Sequence, residues 1–389
     1  MRLMTFLTRR QAWLTPKEIS ASYRAPEGRV TPRSIRRWFQ FLRKTGGFVY
    51  YPYPRANRLG LQEVLVRIRR LRDPSILGVL PFGSSFNIEV DLSGSEPLVS
   101  QGYWVPGDAL KSFQEYWRTA LDLGLAEEVE VFLAGNTHYY YAPFESVLRP
   151  DGRAEWRSPA DTEYFAALTG RNIRGPYQVR LGEEFAASPL VIPIVVEHIW
   201  QHFSSKQVWD AIRAKGEHAF RAYARGRLGH LLERPGTALR LLQEQWTSLV
   251  NQFDRSFLQP RVFFDWFLVR NAQFVSLYLN AGSRERMLAV AEEVSKLSIS
   301  TALKPGLDND DRCHLLCFAP SDRLLPLIQT ARKFHRGSTP PSISLQDLEG
   351  TMSLFQPEFC RVDWRSFDPE SLTWRFAGDR YLEALKAKG

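Results

Sequence analysis

Three cysteines in 389 residues, Cys313, Cys317 and Cys360, are too sparse and odd in number for the disulfide framework of a secreted domain. Reduced thiols are expected. No apolar run approaches the ~18–20 residues needed to cross a bilayer. The longest, Pro189 to Val196, is broken by Pro193 and ends at Glu197. The opening MRLMTFLTRRQAWL lacks both an uninterrupted apolar stretch and a small-residue cleavage site, so it does not read as a secretory signal. The expectation is a cytoplasmic protein. GxGxxG, P-loop and HExxH patterns are missing, which leaves no cofactor to expect and no metal site of the usual helical spacing. Acids are also missing from one long stretch: none lies between Thr31 and Glu63.

What is present is globular. Hydrophobic residues make up 44% and charged residues 24%, too apolar for a disordered chain. At roughly 100–200 residues per domain the length implies more than one. The net charge of +9 is unevenly placed, since residues 1–70 hold 16 Lys or Arg against three acids, Glu18, Glu27 and Glu63. The remaining chain is slightly acidic. A polycationic end on a near-neutral body points to a surface for a polyanion, or to a solvated Arg-rich face.

Thr15-Pro16-Lys17-Glu18 opens a helix with a capping box and Pro at the first helical position, and Thr31-Pro32 opens a second that runs to about Lys44. Gly46-Gly47 stops it. The following FVYYPYP is an aromatic extended segment whose prolines suit an edge hairpin or wing. At 100° per residue from Arg33, Arg36, Arg37, Gln40 and Lys44 fall within about 60° of it, while Ile35, Trp38, Phe39 and Leu42 fall opposite. This layout predicts a winged helix-turn-helix whose second helix is greasy behind and cationic in front. The major groove admits such a helix.

From Leu59 the pattern becomes βαββαβ: strands at 59–69, 86–92, 98–105 and 129–134, a turn at 72–80 where a helix fits, and a helix at 108–124. Residues 145–188, rich in Pro and Gly turns, read as a linker. The series then recurs with strands at 272–280, 298–304 and 313–318 and helices at 284–297 and 322–334. Val64 corresponds to Phe274 and Asp108 to Asp322, a near-constant shift that predicts an internal duplication. The fold class expected is α+β: a winged helix-turn-helix plus a ferredoxin-like βαββαβ unit, duplicated in one chain. The divisions are 1–57 for the DNA-binding domain, 58–144 for the first ferredoxin-like domain, 145–188 for the linker, 189–265 for a degenerate second helix-turn-helix, and 266–389 for the second ferredoxin-like domain with a C-terminal extension.

SIRRWFQFLRKTGGF (34–48) resembles the recognition helix and following turn of the Lrp/AsnC feast/famine transcription regulators. RLGLQEVLVRI (58–68) resembles that family's leucine-glycine-leucine approach to its first effector-domain strand. FGSSFNIEVDL (82–92) resembles its Gly-x-x-aromatic-Asp segment, with Phe86 in the aromatic place and Asn87 in the acidic one. The resemblance implies a sequence-specific regulator on double-stranded DNA, working as an intramolecular pseudo-dimer or a homodimer and answering to a small effector at Gly83, Phe86 and Asn87. On that reading Arg33, Ser34, Arg36, Arg37 and Gln40 face bases or nearby phosphates, Lys17, Arg43 and Lys44 the backbone, and Arg55 and Arg58 the flanks of the wing. No catalytic residue is expected.

Two alternatives stay beside it. The siroheme decarboxylases resemble tandem Lrp-like proteins, and Phe86-Asn87 is similar to part of their signature, but Gly83-Ser84-Ser85 stands where their upstream histidine belongs. RNA binding is the other. His198 and His202, four apart on a candidate helix, have no third metal ligand and read as partly buried histidines. Cys313, Leu315 and Cys317 would share one face of a strand as small apolar groups. The run His138 to Tyr141 has no basic neighbours and reads as packing rather than as a base-stacking surface.

Overall fold

The structure is a computed structural model. It describes residues 2–10, 15–26, 28–44, 48–54, 60–80, 82–92, 97–135, 137–142, 165–167, 258–264, 271–307, 311–347, 367–368 and 373–389. The predicted linker and second helix-turn-helix fall outside these apart from two short strands, as do His198, His202, Arg55 and Arg58.

Three helices form the N-terminal head: α1 (Arg2–Arg10), α2 (Pro16–Ser22) and α3 (Pro32–Lys44). Thr15 caps α2 as its sequence requires: its Oγ1 accepts from the Glu18 N–H at 3.2 Å, and Glu18 Oε2 accepts from the Thr15 N–H at 2.7 Å. That pairing holds the Glu18 carboxyl below its usual range. Thr31 Oγ1 accepts from the Ser34 N–H at the start of α3. Leu7, Ile19 and Ile35 are fully buried together, with Trp38 and Phe39 packed alongside. The back of α3 is therefore apolar, as its periodicity predicts. The cluster continues into Ala142, Ile299 and Phe318, so the head docks on the far end of the second sheet unit.

The aromatic segment that follows is not a wing. Strand β1 (Phe48–Pro54) pairs along its whole length with a strand more than 200 residues away, β8 (Leu258–Phe264), from Phe48 opposite Phe264 to Pro54 opposite Leu258. A hairpin wing needs its own neighbouring strand; here the long-range partner takes that place and leaves a two-stranded ribbon.

The body is one ten-stranded antiparallel sheet flanked by helices. Its first unit holds β2 (Leu61–Arg69), a 3₁₀ turn at 74–78, β3 (Gly83–Asp91), β4 (Pro97–Pro106), α4 (Leu110–Asp122) and β5 (Glu128–Leu133), with spatial strand order β5-β2-β4-β3. The second holds β9 (Ala272–Asn280), α5 (Arg284–Ser295), β10 (Ser300–Pro305), β11 (Arg312–Pro320), α6 (Leu324–Phe334) and β12 (Ser342–Asp347), in order β12-β9-β11-β10. Counted within each unit, both orders are fourth, first, third, second. Strands β6 (His138–Tyr141) and β7 (Phe165–Ala167) extend the β10 edge. The alignment of Val64 with Phe274 is one residue out. Leu61 pairs with Pro106, and Ala272 with Pro320, so Val64 corresponds to Val275, and a slip of one residue exchanges the faces of a strand.

Each unit buries an apolar face under its helices. Phe113, Tyr116, Trp117 and Ala120 on α4 cover Val64, Val66, Val99 and Tyr103, at the three- and four-residue spacing of one helix face. Met287, Val290, Ala291 and Val294 on α5, with Leu327 and Ala331 on α6, cover Val275, Leu277, Cys313, Leu315 and Cys317. The two cysteines share that face as expected, and burial pushes both thiols up to about 12. A last helix, α7 (Gly378–Lys386), inserts Leu385 into the core of the first unit.

The opposite faces meet each other. β3 and β12 pair edge to edge, Asp91 opposite Ser344 and Glu89 opposite Gln346. At the other margin the Gly135 N–H donates to Pro305 O at 2.7 Å and the Leu307 N–H to Leu133 O at 3.0 Å. Both sheet units thus enclose a common interior. No helix among the described residues is long and apolar enough to cross a membrane.

Leu385→Ala is expected to lower stability by about 2–5 kcal/mol in a urea titration, the cost of emptying a fully buried leucine site. Folded protein at pH 8 should leave Cys313 and Cys317 unalkylated, and urea should expose both.

Candidate functional site

Polar residues on the strands face the shared interior. Strand alternation puts Glu63, Arg67 and Arg69 of β2 on one side and the apolar series Val64, Val66 and Ile68 on the other. On β9 the same alternation gives Ser276 and Tyr278 to the interior, and on β11 Arg312 and His314. A buried polar group costs free energy unless it is paired, so these residues must find partners across the gap.

Most do. Arg67, only 5% exposed, donates from Nη1 to Glu130 Oε2 at 3.0 Å and from Nη2 to Ser342 Oγ at 2.7 Å. Arg312 donates to the other oxygen of Glu130, so one carboxylate joins guanidiniums from β2 and β11. Lys304 of β10 reaches Glu63 of β2 at 2.5 Å. Near the β3–β12 seam Glu89 accepts from Ser100 Oγ at 2.5 Å, from Ser276 Oγ at 3.2 Å and from Ser344 Oγ. Arg69 closes on buried Asp91.

Three side chains form a stack at the centre. The Arg67 guanidinium carbon lies 3.7 Å from the Tyr278 ring centroid. The His314 ring lies 4.2 Å from the same centroid and nearly parallel to it. Two groups so close cannot share one face, so the tyrosine is held between guanidinium and imidazole. Phe132 meets Tyr278 edge-on from β5 at 6.2 Å. Burial pushes the Tyr278 phenol well above its usual value, and the Glu89 charge adds to it. Burial pushes the His314 imidazole well below its usual value, helped by the Lys304 and Arg67 charges. Both rings are neutral near pH 7. Neither His314 nitrogen has a hydrogen-bond partner, nor has Arg67 Nε.

Two cavities open beside the stack. One of about 560 Å³ is lined by Arg67, Glu130, Phe132, Tyr278 and Arg312, with the connection from His335 to Ser342 as its outer wall. A second of about 680 Å³ lies against Arg67, Arg69, Arg70 and Glu127 to Glu130. Arg67, Glu130, Thr339, Pro340 and Ser342 line both. The geometry suits an anionic small molecule: guanidiniums to hold carboxylates, aromatic rings as walls, and a protonated phenol beside them.

The residues expected from sequence lie elsewhere. Gly83 begins β3 at a register irregularity opposite Tyr103, Phe86 pairs opposite Gln101, and Asn87 opposite Ser100. Neither Gly83 nor Asn87 lines either cavity. Lys17, Arg33, Ser34, Arg36, Arg37 and Gln40 are exposed on the head, and Arg43 and Lys44 complete α3. Lys17, Arg33, Ser34, Arg36, Arg37 and Gln40 share no wall with the cavities.

No protein-family model matches the sequence, and no curated protein matches it. Two solved structures are similar. One is a crystal structure of the siroheme decarboxylase NirDL, 10% identical, with 100% of this chain and 98% of that chain covered at a TM-score of 0.47. The other is the same enzyme in complex with an iron-uroporphyrin III analogue, 11% identical at the same coverage and a TM-score of 0.46. Those proteins are enzymes with a small-molecule ligand, where the sequence reading expected a regulator on double-stranded DNA and no catalysis. The expectations of an Lrp/AsnC-type transcription regulator, of a DNA partner and of a non-enzyme are corrected on this finding. The physical reason for the error is that α3 does carry an exposed cationic face, but such a face is also what a solvated docking helix presents, and the wing that would complete a DNA reader is paired with β8.

Stability should fall as the pH drops below about 6.5, because the unfolded chain protonates His314 and the folded one does not. The expected slope is about 1.4 kcal/mol per pH unit. Replacing the residue, His314→Phe, should reduce that slope in denaturant titrations between pH 7 and 5, leaving the part contributed by His138, whose imidazole is also held below its usual value by burial and the Arg284 charge.

Proposed function

We propose that this chain is an enzyme of the siroheme-decarboxylase kind, acting on a carboxylate-bearing small molecule in the cleft between the two sheet units. The observation that carries the reading is the Arg67–Tyr278–His314 stack on the wall of the 560 Å³ cavity, with Arg312 beside it. Three features fit a decarboxylation. Guanidiniums at Arg67 and Arg312 can bind carboxylates of the substrate in hydrogen bonds. The C–C bond to the carboxylate breaks, its electron pair stays on carbon, and that carbon needs a proton. Tyr278 lines the cavity and keeps its phenolic proton over the whole neutral range, so it is the donor placed to supply one. His314, held neutral behind the tyrosine, spares the site another cation that would compete for the substrate's carboxylates.

The division proposed is a helical head at 1–57, a ferredoxin-like βαββαβ unit at 58–144, a linker at 145–188, a degenerate second helix-turn-helix at 189–265, and a second ferredoxin-like unit with its extension at 266–389. The matching strand orders and the return of strand, 3₁₀ turn and helix at Pro106 and Pro320 support a duplication.

The test is a titration with an iron-uroporphyrin III analogue followed by visible absorbance, then mass analysis of carboxylated tetrapyrroles for loss of carbon dioxide. Arg67→Gln is expected to weaken binding by at least about tenfold. Tyr278→Phe is expected to leave binding within a few-fold and to slow turnover by about 10²–10⁴. Absence of both binding and carbon dioxide loss in the intact chain overturns the proposal.

A further inference from the structure

We propose that His335 is a positioning residue that latches the cavity wall shut only while its ring is neutral. This rests on the cavity being the ligand site. The His335 Nδ1 accepts from the Asn280 N–H at 3.1 Å, and Nε2 lies 2.6 Å from Thr339 O. A backbone N–H can only donate, so Nδ1 carries no proton and the single proton of the ring sits on Nε2, donated to Thr339. One imidazole thereby ties the end of β9 to the middle of the connection that walls both cavities. The Arg336 N–H adds a bond to Asn280 O at 2.8 Å, which anchors the near end and leaves the stretch beyond it dependent on the ring.

The backbone is wrapped around the imidazole without spare room. A Cβ built on Gly337 would stand 2.5 Å from His335 Nε2 and 3.0 Å from its Cε1. Any side chain at 337 must push the ring or the chain away. This close approach is an observation independent of the hydrogen bonds, and it points to the same clasp.

Protonation of Nδ1 converts the acceptor into a donor facing another donor. The Asn280 bond is lost, and Gly337 to Pro341 lose their hold on β9. Charged groups on the surrounding elements are Arg336 on the connection itself, Lys333 on α6, Arg286 on α5, which donates to Phe334 O and Ala281 O, Arg312 and Asp311 at the start of β11, and Glu130 across the cavity. Arg67 and Arg312 stay paired with Glu130, so the anion-binding wall persists while the opposite wall opens.

The test uses the full chain, an iron-uroporphyrin III analogue as probe, and amide exchange at Asn280 corrected for its intrinsic pH dependence. Probe affinity in the unmodified protein should fall about tenfold between pH 7.5 and 5.5, as protection at Asn280 falls in the free protein. His335→Gln, whose amide can accept and donate without titrating, should bind tightly at both pH values. Gly337→Ala should bind weakly at both while unfolding at an unchanged denaturant midpoint. Equal pH dependence in His335→Gln, or Asn280 protection indifferent to pH, overturns the latch. Asn280 protection that follows pH in the unmodified protein and not in His335→Gln supports the latch even where no protein binds the probe, and there the ligand reading alone fails.

Discussion

The Glu130 carboxylate, held between Arg67 and Arg312, is the contact on which the interior depends. Two sheets facing each other with polar residues inward cannot close unless each charge meets its opposite at the moment water leaves. Removing Glu130 strands Arg67, the buried member of the set, without its carboxylate. Glu130 belongs to β5 of the first unit and Arg312 to β11 of the second, so the bond is also what registers one unit against the other. The Glu63–Lys304 pair repeats the same crossing nearby, and Glu89 with its three serine hydroxyls secures the seam where β3 meets β12. A hydrophobic interior would pack as well and leave nothing to recognise a ligand. Here the groups that align the sheets are also the walls of the cavities.

That double use explains the state of the central stack. A guanidinium over one face of Tyr278 gains from the ring's negative potential, and an imidazole on the other face must be uncharged to remain there. Arg67 and Lys304 oppose a proton on His314 directly. The tyrosine, in turn, keeps its proton because burial and Glu89 both disfavour the phenolate. The cluster is thus one cation beside two neutral rings, a stable arrangement with a hydrogen to give.

Much of the fold could be read in advance. The capping box at Thr15, the apolar back of α3, the strands of both units apart from β12 and the helices after Pro106 and Pro320 all have local causes: turn chemistry, side-chain period and helix starts. The site had none. Arg67 and Arg69 alternate with valine and isoleucine, and that pattern is also that of a strand with one face in water. Only the second unit, folded against the first, turns the polar face of β2 into a buried one. Arg312 and His314 lie among apolar residues of β11 for the same reason. Charge density, by contrast, was conspicuous on α3, and it drew attention to an exposed helix while the consequential arginines were single residues on separate strands. The long-range pairing of β1 with β8 had no local trace, since a segment's own composition does not name a partner 200 residues away.

The seat of α7 on the first unit has a bearing on biosynthesis. Leu385 fills a core whose other members lie between Val64 and Ala126, so that core stays open until the whole second unit has been made. At ~5–20 residues per second the interval from α4 to α7 is roughly 10–50 s. Throughout it the nascent first unit shows an apolar gap that only later-made chain can plug, and a chaperone has that long to occupy it.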